Sequence, residues 1–105
     1  MNKNVLFIVL VLFLAVSGCY KKGKLPVADF SYKEDKDLLI PDTVTFYNQS
    51  QNASTYEWTF GDGASSADEN PVHIYQDTGL YTVLLKSYSS GRANWSTKNR
   101  TIHIK

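Results

Sequence analysis

Few groups in this 105-residue chain could do chemistry. Cys19 is its one thiol, and without a second cysteine it cannot close an internal disulfide. His73 and His103 are the only imidazoles, and with no thiolate to spare they do not make up a zinc site. The serines stand in turn-like stretches with no nucleophile-elbow sequence around them, so no nucleophile–base–acid set can be read. Asp62, Asp68 and Glu69 form an acidic group. A calcium loop takes about six to eight oxygen ligands at alternating spacing, which this stretch lacks, so it reads as a solvated loop. Catalysis, a bound metal and a cofactor are therefore not expected. Tyr88, Arg92 and Trp95 remain, set among small residues in the string YSSGRANWS. Those three types dominate binding hot spots, and loops rich in Ser, Gly and Asn adapt to partners. The alternative is that Trp95 folds back and caps an edge of the fold.

The surroundings of Cys19 give its thiol a use. Lys3 is followed by an unbroken apolar run from Val5 to Val16, then by the small residues Ser17 and Gly18. A bilayer-spanning helix takes about twenty apolar residues, more than this run supplies. A basic start, a short apolar run and small residues are the layout of a secretory signal peptide. Val16-Ser17-Gly18-Cys19 resembles the bacterial lipobox. The resemblance implies that residues 1–18 are a signal peptide, that a diacylglycerol alkylates Cys19, and that cleavage frees an amino group for a further acyl chain. An ordinary signal peptide with a chance cysteine and an uncut anchor are the alternatives. Residues 19–26 then read as the lipidated cysteine and a flexible basic tether carrying Lys21, Lys22 and Lys24. The lysines either lie against anionic headgroups, at about 1 kcal/mol each, or are simply solvated. Tyr20 stands where an Asp would resemble an inner-membrane retention signal, and no acidic run follows. This places the expected protein on the periplasmic side of the outer membrane.

These groups must be positioned by one small domain. The chain is 43% hydrophobic, 13% aromatic and 20% charged, a globular composition. Its formal net charge is +1, and loss of Lys3 with the signal leaves 10 basic and 10 acidic residues. That balance offers no basic face for nucleic acid. No helical period is sustained after residue 26. Short alternating runs appear instead, over 27–32, 43–48, 55–60, the stretch after Gly79, and the end with Ile102 and Ile104, while 72–75 is apolar on both faces apart from His73. In the third run Tyr56, Trp58 and Phe60 share one face. Evenly spaced strands without helices predict an all-β, antiparallel sandwich of about seven strands.

Tyr56-Glu57-Trp58-Thr59-Phe60-Gly61-Asp62-Gly63, then Asn70-Pro71-Val72-His73-Ile74-Tyr75, then Gly79-Leu80-Tyr81-Thr82-Val83, resemble a PKD repeat (polycystic kidney disease repeat). The likeness runs over residues 27–105. It implies an immunoglobulin-like β-sandwich, with Trp58 and Phe60 in the core and Gly61, Asp62 and Gly63 as a sharp turn. It also implies that His73 and Tyr75 point inward, Val72 and Ile74 outward. Tyr81, after the turn at Gly79, resembles a tyrosine-corner residue whose hydroxyl ties back to the backbone. Thr59 departs from the Asp often found there in the family, which removes a carboxylate. The resemblance implies a non-catalytic envelope module that binds protein or polysaccharide. The alternative is a lipid-anchored spacer or assembly subunit with no dedicated ligand.

Overall fold

A computed structural model describes residues 23–35 and 40–105. Cys19 and the expected signal peptide, residues 1–18, lie outside these residues. Seven strands follow one another: β1 (Phe30–Glu34), β2 (Asp42–Asn48), β3 (Thr55–Thr59), β4 (Ser65–Ser66), β5 (Val72–Tyr75), β6 (Gly79–Tyr88) and β7 (Trp95–Ile104). They form two antiparallel sheets, β1-β2-β5 and β4-β3-β6-β7. The fold is an all-β, PKD-like sandwich.

The period-2 pattern dictates which residues enter the core. Val44 and Phe46 turn inward from β2, Trp58 from β3, Tyr75 from β5, and Val83 and Leu85 from β6. Phe30, Phe60, Ile102 and Ile104 complete the layer. The indole of Trp58 lies between Phe30, at 5.1 Å in an edge-to-face arrangement, and Phe46, at 5.4 Å. Such offset pairs add to the stabilisation from area burial alone. The Trp58 N–H donates to the Asp68 carbonyl at 2.9 Å, so the largest core side chain leaves no unpaired donor. Val72 and Ile74 face outward on the three-stranded sheet; Leu84 faces outward, half-covered, on the other.

Three features differ from the sequence reading. β1 starts at Phe30, not Val27, because the Asp29 carboxylate takes the Phe30 amide at 3.0 Å and Val27 instead bridges to Gln51. β4 has only two residues, both serine, and so shows no alternation to read. The connection after β6 is shorter than the whole Tyr88–Ser96 stretch: Tyr88 pairs with Trp95 and Ser87 with Ser96, leaving 89–94 as the loop.

The two ends of the sandwich differ. One, here the hairpin end, joins the arriving segment 23–29 to the 49–54 turn and the β6–β7 loop. Ala28 donates to the Ser96 hydroxyl at 3.1 Å, and Ser54 donates to the Tyr88 carbonyl at 2.8 Å. The far end carries Asp35, the Asp42–Tyr75 pair, Asp77 and the Gly79–Ile104 pair.

Candidate binding surface at the β6–β7 hairpin

Strand alternation brings the predicted contact residues together. Trp58 and Leu85 point into the core, so their neighbours Glu57, Lys86 and Tyr88 point out. Across the strands Glu57 sits opposite Lys86, and Tyr88 opposite Trp95. The Lys86 ammonium lies 4.8 Å from the centre of the Trp95 ring and 5.1 Å from that of Tyr88. The Arg92 guanidinium covers Tyr88 at 4.0 Å. These are cation–π distances, and they fix the long side chains against flat aromatic surfaces.

Trp95 is 57% exposed, so it does not cap the sandwich edge. Tyr88 is only 7% exposed, since Arg92 and Lys86 cover it. Its hydroxyl donates to Glu57 Oε2 at 3.0 Å, and Arg92 Nη2 lies 3.8 Å from the same oxygen. The three residues therefore have unequal roles. Trp95 offers open contact area, while Tyr88 is a support.

The loop is held rather than adaptable. Ser89 N–H donates to the Asn94 carbonyl, Asn94 N–H to the Ser89 hydroxyl, and Arg92 N–H to the Ser89 carbonyl, at 2.9 to 3.1 Å. Gly91 and Arg92 both take positive φ, 76° and 59°. A left-handed residue with a Cβ costs about 1–2 kcal/mol, so Arg92 is strained in the pose that lays it over Tyr88.

The motif residues form a second cluster that braces the fold. Gly61 (φ 85°) passes so close to β6 that a Cβ there would lie 2.7 Å from the Thr82 carbonyl oxygen. Gly63 also has positive φ, 92°, but faces open space. Asp62 accepts from the Ala64 amide at 3.1 Å through Oδ1, and its Oδ2 lies 2.7 Å from His73 Nε2. Partial burial pushes the Asp62 carboxyl up, but the His73 and Ala64 bonds outweigh it and hold it below the usual carboxylate range. The His73 ring stacks on Phe60 at 4.2 Å and meets the Tyr75 ring edge-on. The Tyr75 hydroxyl donates to the buried Phe60 carbonyl at 2.8 Å. Burial first, then the charge of Asp62 and the neighbouring Tyr81, push its pKa up, so it remains a donor. Tyr81 donates to the Asp77 carbonyl at 2.9 Å, the tie of a tyrosine corner across the turn before Gly79.

In sequence Asp62 belongs to a turn and His73 to a strand facing the core, with nothing to join them. The pairing is not legible in the sequence, since β5 and the β3–β4 turn belong to different sheets and only the packing of one on the other brings them together. Asp62, Asp68 and Glu69 do not gather into a site, and no metal-holding group of three such residues occurs among the described residues.

The chain resembles known domains along nearly its whole described length. The sequence pattern of the PKD domain family matches residues 24–104. Collagenase ColA of Bacillus cereus is 31% identical over 72 residues, 64% of this chain. Collagenase ColA of Clostridium perfringens is 26% identical over 77 residues, 69% of this chain. The chain spans about 7% of the length of each collagenase. Among solved structures, the PKD1 domain of the Vibrio cholerae metalloprotease PrtV superposes with a TM-score of 0.67 at 28% identity, covering 78% of this chain and 99% of that domain. A chain from a structural study of β-sandwich carbohydrate-binding modules shares the fold, with a TM-score of 0.69 at 23% identity over 81% of this chain and 36% of its own. On the match over residues 24–104, this chain belongs to the PKD domain family.

Proposed function

We propose that the protein is a lipid-anchored, non-catalytic PKD module of the bacterial cell envelope that holds a protein or polysaccharide ligand. The outer membrane, facing the periplasm, is the proposed site. Cys19 is the proposed point of lipidation, and the surface at Tyr88, Arg92 and Trp95 the proposed contact. One observation carries the binding reading: Trp95 is more than half exposed on a supported surface, with Lys86 and Arg92 placed beside it over aromatic rings. A rigid exposed indole loses little entropy on binding. The likeness to part of a collagenase, and to the fold of a chain from a study of β-sandwich carbohydrate-binding modules, supports the same class of function. The Asp62–His73 pair reads as a brace, because the ring is stacked on Phe60 and Asp62 also holds the turn.

Recovery of partners from the protein's own envelope, using the acylated chain and Trp95→Ala beside it, tests the reading. The parent is expected to retain a defined protein or glycan that the variant loses. Equal retention by both would remove the loop as the contact.

A further inference from the structure

The fold determines which end of the sandwich an anchor at Cys19 would hold nearest the bilayer. The first tied residue of the described chain is Leu25, whose carbonyl accepts from Asn52 at 3.3 Å. Val27 and Gln51 then exchange backbone hydrogen bonds at 2.9 Å. Both contacts lie at the hairpin end. Six residue steps separate Cys19 from Leu25. A fully extended chain of that length reaches about 20 Å. An anchor at Cys19 would therefore keep the hairpin end within about 20 Å of the headgroups, a limit that does not bind the far end.

The side chains at that end suit such a surface. Leu25 is 67% exposed and Val27 is 52% exposed. Lys24 stands beside them in the chain, after Lys21 and Lys22; in the neighbouring hairpin Arg92 and Glu57 offset each other at 3.8 Å. Asp29, the acid nearest in sequence, is paired with Arg100 at 3.5 Å. Asp35, Asp42 and Asp77 belong to the far end, which an anionic surface would repel.

We propose that Lys24, Leu25 and Val27 form a docking surface for an anionic lipid bilayer, and that this contact stands the sandwich upright on the membrane. The proposal rests on the lipid anchor proposed above. Lysines near such a surface each contribute about 1 kcal/mol, and the effect falls off within a Debye length of about 8–10 Å. Trp95 immediately precedes Ser96, the residue bonded to Ala28. Upright docking thus keeps the ligand surface beside the headgroups, where it meets partners that come to the membrane.

The test uses the acylated full-length protein in vesicles of phosphatidylcholine and phosphatidylglycerol, with a nitroxide on Val27→Cys or, separately, on Leu80→Cys. Leu80 is also exposed and lies at the far end. The expected result is a several-fold loss of access of a water-soluble paramagnetic reagent to the label at 27, with none at 80. Lys24→Glu with Leu25→Asp is expected to restore access at 27. Equal access at both positions, or protection at 80, overturns the docking surface. Mass spectrometry of the same sample separates the two readings. An unmodified Cys19 removes the anchor and the docking surface with it. An acylated chain whose position 27 stays in water overturns the docking surface alone.

Discussion

His73 Nε2 lies 2.7 Å from Asp62 Oδ2, joining β5 to the turn that follows β3. The bond crosses from one sheet to the other. It also joins two motif strings, through residues that ten others separate in the sequence.

This pair makes stability depend on acid. Asp62 has a lowered pKa in the folded chain, so its contribution is complete above the ordinary Asp value and is lost as pH falls through the folded one. Asp62→Asn keeps a turn acceptor for the Ala64 amide but loses the carboxylate. The pair is partly exposed, so the expected cost near neutral pH is about 1 kcal/mol. Melting curves of parent and variant should start to converge as pH falls below the ordinary Asp value of about 4 and meet only below the lower folded one, where both lack the charge. A gap that stays constant into acid would contradict the pairing.

The two glycines of the turn should respond differently. Gly63→Ala meets only the backbone strain of positive φ, about 1–2 kcal/mol. Gly61→Ala meets the same strain and drives a methyl into the Thr82 backbone. Denaturant unfolding is expected to show the clearly larger loss for Gly61→Ala. Equal losses would mean that β6 can move aside.

Trp58 is fully buried among Phe30, Phe46 and Phe60. Trp58→Ala is expected to cost about 3–5 kcal/mol through lost burial and a residual cavity. Small domains have only about 5–15 kcal/mol in total, so the variant should be marginal or unfolded. A melting temperature within a few degrees of the parent would place the core elsewhere.

Much of the fold was legible because the core strands alternate. Phe46 with Val44, and Trp58 with Phe60, can be assigned inward from sequence, and His73 and Tyr75 follow from the PKD resemblance. β4 was not legible, since Ser65 and Ser66 carry no apolar signal. At the candidate site the residue types were legible and their roles were not. Tyr88 and Trp95 look equivalent in sequence. Only the cross-strand register shows that Lys86 and Arg92 cover Tyr88 and leave Trp95 open. The loop's stiffness was also hidden, because it depends on Ser89 bonding both ways to Asn94 and on the left-handed Arg92.

The central claim is that Trp95 binds and does not support the fold. Trp95→Ala, measured in parallel by thermal melting and by affinity for the partner recovered from the envelope, tests it most directly. An exposed side chain has little packing to lose, so stability should change by less than about 1 kcal/mol. Affinity should fall by at least about 2 kcal/mol, roughly thirtyfold. A large drop in melting temperature with unchanged affinity would contradict the claim and leave a spacer as the better account.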